Sequence, residues 1–201
     1  MALGRLAYVS IFFAHLVLFI LDVAAFNRID WIVVRTPGLS LDYGLTEECD
    51  PTTGKCHRFP PPGECQSRPD VSTSSSLCFQ WHTAAYLFYL SIVIGILLLF
   101  SLLAILVGGR SKRESGWKVV VGLQMAFVAL QSIGLALVAN QMGQGGRDVT
   151  RGNDNFKRFG SDAHFGWAFI IAVVETSGTL LVSIGMGILA NLHPPEYQRI
   201  A

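Results

Sequence analysis

The 201-residue chain is 51% hydrophobic and only 14% charged, with a formal net charge of +1. An average soluble domain has about 25% charged residues, so this composition indicates a membrane protein. We expect no nucleic-acid binding, because a near-neutral chain lacks the dense basic face that such binding requires.

Four apolar segments are long enough to cross a hydrocarbon core of roughly 30 Å, which takes about 20 helical residues. They predict membrane-spanning helices near residues 6–26, 83–107, 117–140 and 164–192. The parts between them are short apart from a first loop, residues 27–82, so we expect residues 1–201 to form a single membrane domain.

The first apolar segment has a second interpretation as a cleaved signal peptide. Arg5 precedes it, and residues 23–25 offer the small side chains of a cleavage site. Its length and the position of Asp22 just before that site favour a retained helix.

All four cysteines lie in the first loop: Cys49, Cys56, Cys65 and Cys78. This distribution is typical of a loop that faces an oxidising compartment. Basic residues occur both after the second helix and between the third and fourth, so their number alone does not orient the chain. The cysteines place loops one and three outside and both termini in the cytoplasm, in an integral membrane protein.

Four cysteines allow three pairings, of which we favour Cys49 with Cys56 and Cys65 with Cys78. The first pair brackets the sequence DPTTG, whose proline and glycine favour a tight turn. Metal binding by cysteine and His57 is the alternative, but the loop has no C-x-x-C pair. We therefore expect a hairpin closed by a disulfide, with no metal and no cofactor.

Two stretches of the first loop have strand character, residues 28–35 (RIDWIVVR) and residues 77–82 (LCFQWH). The prolines at 60–62 and the serine-rich tract at 72–76 separate them and predict irregular chain. The expected fold is a membrane all-α protein: a four-helix transmembrane bundle carrying a small disulfide-pinned extracellular β-sheet in the first loop.

The first loop resembles that of the claudin superfamily, in which a tryptophan precedes Gly-Leu-Trp and two cysteines. Here these elements are Trp31, Gly44, Leu45, Cys49 and Cys56, while Thr46 stands where claudins have the second tryptophan. The looser pattern is more similar to the fungal branch of PalI-type and eisosome-associated proteins. The resemblance implies four spans, a large first loop and a role at the plasma membrane.

Several polar residues lie within the predicted spans: His15, Asp22, Gln131 and Glu175. Such residues are costly in lipid and are functional candidates by default. Antiparallel packing is expected to bring His15, Gln131 and Glu175 to a similar depth, with Asp22 nearer the outer surface. They serve either as interhelical hydrogen-bonding groups or as a protonation-sensitive site or ion path.

Small residues recur every three to four positions on two of the predicted helices. These ridges allow close approach of helices, and we expect them to pack within the bundle. They are Thr179, Ser183 and Gly187 on the fourth helix, and Gly122, Ala126, Ala129 and Ser132 on the third.

The C-terminal sequence HPPEYQRIA contains two overlapping motifs. Pro194, Pro195 and Tyr197 fit PPxY, which resembles WW-domain ligands, and YQRI resembles an endocytic adaptor signal. The alternative is structural: the prolines end the fourth helix and Tyr197 lies at the membrane interface.

The sequence contains no nucleophile–base pair and no phosphate-binding glycine loop, so we expect no enzyme. We expect a scaffold or accessory protein that binds other membrane proteins, and that can form a homo-oligomer. The alternative is a small ion or proton channel, a transporter, or an auxiliary channel subunit that uses Glu175 and His15.

Overall fold

The computed structural model describes residues 5–36, 39–60, 72–108, 110–145 and 163–192. Four long helices form a bundle: α1 (Arg5–Asn27), α2 (Ser72–Val107), α3 (Arg110–Gly145) and α4 (Trp167–Leu192). Each contains a segment long and apolar enough to cross a membrane, namely Leu6–Asn27, Cys78–Val107, Gly116–Met142 and Trp167–Leu189. The predicted four-helix transmembrane bundle is confirmed.

A five-stranded antiparallel sheet lies at one end of the bundle. Its strands are β1 (Ile32–Thr36), β2 (Leu39–Tyr43), β3 (Glu47–Asp50), β4 (Lys55–Arg58) and β5 (Ala163–Phe165). Their spatial order is β4-β3-β2-β1-β5. The small sheet predicted from the first loop is confirmed, but β5 comes from the segment between α3 and α4. Loops one and three therefore lie on the same side of the bundle.

The β3–β4 hairpin is held by charge, a disulfide and a polar turn. Acidic β3 faces basic β4, with Glu47 opposite Arg58 and Asp50 opposite Lys55, and opposite charges in such pairs are favourable. Cys49 and Cys56 form the predicted disulfide. In the turn, Gly54 has a φ of +68°, a value that glycine adopts without steric cost.

The predicted strand at residues 77–82 is wrong, because α2 already begins at Ser72. Cys78, Trp81, Ala85 and Phe88 are all buried, so the apolar positions repeat every three to four residues, as on one face of a helix. Six residues are too few to distinguish this helical repeat from the alternation of a strand. Cys78 is disulfide-bonded, and Cys65, its predicted partner, lies outside the described residues.

Two other helix starts differ from prediction. Residues 110–116, which the predicted spans leave as a connection between the second and third helices, belong to α3, which begins at Arg110. Lysine and arginine are good helix formers. His164 was expected to begin the fourth helix but lies in β5, and α4 begins at Trp167. The predicted tail motif of Pro194, Pro195 and Tyr197 lies outside the described residues.

Trp31 joins the sheet to the bundle. Its backbone N–H donates to Tyr43 O at 3.0 Å, and its indole N–H donates to the Ala25 carbonyl in α1 at 3.0 Å. The fully buried ring packs edge-on against Phe88 of α2, with 4.7 Å between centroids. One side chain thereby fixes the sheet against two helices.

The start of α4 packs closely against the segment that follows α1. Gly166 N–H donates to Trp31 O at 3.1 Å, and the Asp30 carboxylate accepts a hydrogen bond from the backbone N–H of Trp167. Asp30 thus caps α4 from a distant part of the sequence. Partial burial raises the pKa of Asp30, but hydrogen bonds from Arg28 and Trp167 outweigh it and hold that pKa below its usual range.

We expect Gly166→Ala to destabilise the protein by about 3 kcal/mol, the upper end of the usual range for overpacking. A methyl group there would lie 1.8 Å from the Asp30 carbonyl oxygen. Relief of this clash would require one of the two packed backbone segments to move. The measurement is the free energy of unfolding by SDS titration in mixed micelles. Gly122→Ala is the control, since its methyl group would meet nothing within 4 Å; equal stabilities of the two variants would contradict the prediction.

We expect Thr52→Val to raise the pKa of Asp50 towards its ordinary value. Hydrogen bonds from the Thr52 hydroxyl and N–H, with weaker ones from Thr53, hold the pKa of Asp50 below that value. Because the pKa of Asp50 is lower in the folded than in the unfolded protein, ionised Asp50 stabilises the turn at pH values above its unfolded pKa. This stabilisation is lost as the pH falls through the folded pKa. NMR titration of the Asp50 carboxyl carbon measures this pKa. Thr46→Val is the control and should leave the pKa of Asp50 unchanged.

Candidate functional site

A buried hydrogen-bonded group links three helices of the bundle. The Gln131 amide in α3 donates to Asp22 Oδ1 of α1 at 2.5 Å and to Ser91 Oγ of α2 at 2.9 Å. The Ser91 hydroxyl in turn donates to the Phe88 carbonyl at 2.8 Å. Asp22, Ser91 and Gln131 are at most 1% exposed. This arrangement ties the helices together at a single level.

Glu175 of α4 lies close to the same group. Its carboxylate accepts hydrogen bonds from the hydroxyls of Thr179 at 3.2 Å and Thr176 at 3.5 Å, and it is fully buried. It is also near enough to Asp22 for the two carboxyl groups to interact electrostatically. All four helices therefore contribute a polar side chain to one region, the buried polar cluster of Asp22, Ser91, Gln131 and Glu175.

His15 does not share a hydrogen bond with this cluster. It lies two turns from Asp22 along α1, fully buried, with its ring edge-on to Phe127 at 6.1 Å between centroids. Neither of its nitrogens has a hydrogen-bond partner among the described residues. The hydrogen-bond partner of Gln131 on α1 is therefore Asp22, whereas the sequence suggests that Gln131 lies at the same depth as His15.

Two residues of the buried interior were missed by sequence reasoning. Ser91 is an inconspicuous hydroxyl in an apolar run, and nothing local distinguishes it from Ser101, which is not buried. Gln124 is fully buried, with neither amide atom paired in the described part of the chain. It lies seven residues before Gln131, on the same face of α3, and that spacing was an available signal.

The two small-residue ridges have different surroundings. On α4, Thr179 and Ser183 are buried with Glu175, so this ridge packs within the bundle as expected. On α3 the expectation is wrong, because the four ridge residues face outward: Gly122, Ala126, Ala129 and Ser132. These small side chains pack against no other helix in the described part of the chain.

The residues of the first-loop motif form one structural unit. Trp31 and Leu45 are buried, Cys49 and Cys56 close the hairpin, and Gly44 N–H donates to Glu47 O at 2.7 Å to shape the β2–β3 connection. Thr46 is exposed. The Trp81 indole of α2 donates to Leu45 O at 3.1 Å, so a tryptophan still packs at this end of the sheet.

A cleft of about 420 Å³ opens between the sheet edge and α2. Buried Leu45, Phe59 and Ala85 form its floor. Polar side chains line its walls: Glu47, His57 and Arg58 from the hairpin, and His82, Tyr86 and Tyr89 from α2. We call this the interfacial cleft.

One group of residues has metal-ligating atoms close together. Glu47, Cys49 and Cys56 place them within 4.8 Å of one another. The two sulfurs are bonded to each other, and a disulfide sulfur does not offer the thiolate that binds metal.

Neither the protein-family models nor the curated proteins include a match to this chain.

We expect Gln131→Leu to destabilise the bundle by about 1–3 kcal/mol, because Asp22 keeps its burial and loses its donor. The double variant Asp22→Leu/Gln131→Leu should recover most of the loss, since replacing both partners of a buried pair by apolar groups is nearly neutral. SDS titration measures both.

The matched control is Gln124→Leu, the same substitution on the same helix. Its amide has no partner among the described residues, so stability should stay equal or rise. A loss there as large as for Gln131→Leu would show that the hydrogen bonds to Asp22 and Ser91 are not the cause.

Proposed function

We propose that this chain is a claudin-like protein of the plasma membrane that acts without catalysis, as a scaffold or accessory subunit. Its extracellular sheet binds a partner, and the surface of the bundle organises neighbouring membrane proteins. The observation that carries this proposal is the contrast between an ordered, accessible sheet and a bundle closed around its polar residues.

The accessible part of the sheet is the β3–β4 hairpin. Residues 51–58 are all exposed, yet the disulfide and the turn hydrogen bonds hold them in one conformation. Binding through a rigid surface loses little conformational entropy. A hairpin presented in this way is suited to recognition by another protein.

The closed state of the bundle supports a scaffold over a channel. His15, Gln131 and Glu175 each have 0% exposure, so solvent reaches none of these side chains. Ion paths need polar groups that water or ions can reach. The interhelical hydrogen bonds of Gln131 are what a bundle-stabilising role requires.

The proposed relationship is with the divergent fungal branch of the claudin superfamily. The support is structural: Trp31, Gly44, Leu45, Cys49 and Cys56 meet in one unit at the base of the sheet. The disulfide is our reason for proposing that the sheet side is extracellular, with both termini cytoplasmic. A tail there would be available to a WW-domain protein or an endocytic adaptor.

A small channel or transporter, or an auxiliary subunit of one, is the second candidate. It is favoured by buried polar atoms that have no hydrogen-bond partner in the described residues: Asp22 Oδ2, Gln131 Oε1 and both nitrogens of His15. Such atoms are costly unless they serve a ligand, water or proton. They extend along α1 between His15 and Asp22.

Quantitative co-purification tests the scaffold proposal. We expect proteins recovered with the tagged full chain from native membranes in mild detergent to be lost with Lys55→Glu, which reverses an exposed hairpin charge. They should be retained with Lys118→Glu, the same charge reversal at an exposed position of α3 at the opposite end of the bundle from the sheet. Recovery of the same proteins with both variants would contradict binding through the hairpin.

Flux measurements separate the two candidate functions. In proteoliposomes holding the purified chain alone, we expect no proton or cation flux above that of empty vesicles. A flux that disappears in Glu175→Gln, while the variant remains folded, would replace the scaffold proposal with the transport function.

A further inference from the structure

The interfacial cleft lies at the level of the lipid headgroups. Phe26, one residue before the end of α1, packs against Tyr89 of α2 with 4.5 Å between ring centroids. The span of α1, Leu6–Asn27, has 22 residues and a length of about 33 Å, which matches the hydrocarbon core. Tyr89 is therefore at the membrane boundary, and Tyr86 and His82 lie one and two turns further out.

The cleft is preformed. Phe59 in its floor packs edge-on against Tyr43 and Trp81, each with 5.0 Å between centroids, and the Trp81 indole is bonded to Leu45 O. The disulfide fixes the hairpin wall. A ligand would enter without having to order the surrounding chain, which preserves affinity.

The cleft carries one positive and one negative side chain that are not paired with each other. Among the described residues that line the cleft, Arg58 is the one arginine and Glu47 the one carboxylate. They are cross-strand neighbours, yet they form no ion pair of the kind that Arg28 and Asp30 make among the described residues. A guanidinium binds phosphate oxygens in a bidentate manner, and a carboxylate attracts a cation. This lining fits a zwitterion better than an anion.

Two exposed aromatic rings complete the cleft. Tyr86 is 71% and Tyr89 is 48% exposed, a combination that offers ring faces to a quaternary ammonium group. Below them on the same helix, Leu90 and Val93 are exposed and apolar. An acyl chain attached to a headgroup in the cleft would continue along this surface.

We propose that the interfacial cleft binds the headgroup of a phosphocholine lipid from the surrounding bilayer. Arg58 binds the phosphate, with His57 and His82 as additional hydrogen-bonding groups. Tyr86, Tyr89 and Glu47 receive the trimethylammonium group, and the acyl chains lie along α2. This site does not depend on the scaffold role.

Native mass spectrometry of the detergent-purified full chain, titrated with dioleoyl lipids, tests the site. We expect dioleoyl phosphatidylcholine to bind about tenfold more tightly than dioleoyl phosphatidylglycerol or phosphatidylethanolamine, a ratio within the range of one desolvated cation–π interaction. Equal binding of the three lipids would overturn the proposal, since it would indicate ordinary bilayer contact.

Variants locate the binding. Arg58→Gln should weaken the binding of all three lipids by about tenfold, because it removes the group that binds the phosphate they share. Tyr86→Leu should remove the preference for phosphatidylcholine, because it deletes a ring that receives the trimethylammonium group. Lys55→Gln, an exposed cation on the same strand but outside the cleft, should keep it, as should Phe79→Leu, whose ring is 71% exposed on the same helix. Unchanged affinity in Arg58→Gln, or an unchanged preference in Tyr86→Leu, with the disulfide intact, would overturn the assignment.

A final arm distinguishes a bilayer lipid from a soluble ligand. Free phosphocholine should bind at least about a hundredfold more weakly than the dioleoyl lipid, because it lacks the acyl chains that add about 0.8 kcal/mol per buried methylene. Comparable affinities would overturn the lipid assignment and identify a site for a soluble zwitterion.

Discussion

The placement of Trp31 is the constraint on which the two halves of the structure depend. Its backbone bonds to β2 and to Gly166, its indole bonds to the last turns of α1, and its ring packs against Phe88 and Phe169. A small sheet needs a hydrophobic face or a helix to pack against if it is to be stable. Seating it on helices through one fully buried aromatic side chain gives the sheet an apolar base and fixes its orientation on the bundle.

Polar groups hold this protein together in two different solvents. In the sheet, acidic β3 lies opposite basic β4 at the surface, where water weakens the attraction between the charges. In the bundle, Gln131 bonds to Asp22 and Ser91 away from water, and Thr176 and Thr179 bond to Glu175. Interhelical hydrogen bonds in membranes average only about 0.6 kcal/mol, so the cluster aligns the helices more than it stabilises them. Apolar packing around residues such as Phe88 and Phe127 supplies most of the cohesion.

Sequence reasoning reached the spans and the disulfide because those signals are local. Long apolar runs and a turn bracketed by cysteines need no knowledge of distant residues. Sequence reasoning failed where contacts with residues far away in the sequence determine the structure. Ala163–Phe165 is too short to predict as a strand alone and exists because β1 offers a free edge. Residues 77–82 were misread because six residues cannot distinguish a period of two from the helical period. Within the site, Glu175 and Asp22 were apparent as charges in lipid, but which partner each would meet depended on helix rotation, which composition does not specify.

The contribution of β5 to the sheet has a consequence for biosynthesis. Strands β1–β4 leave the ribosome before α2, whereas β5 and Gly166 follow α3, so the edge of β1 stays open while two further helices are inserted. Domains assemble largely in the order of synthesis, and here the last helix carries the strand that closes the sheet. Completion of the sheet therefore requires that the chain has been synthesised through α3. A chain interrupted before β5 would leave the edge of β1 unpaired, and an unpaired strand edge is a template for pairing with other chains.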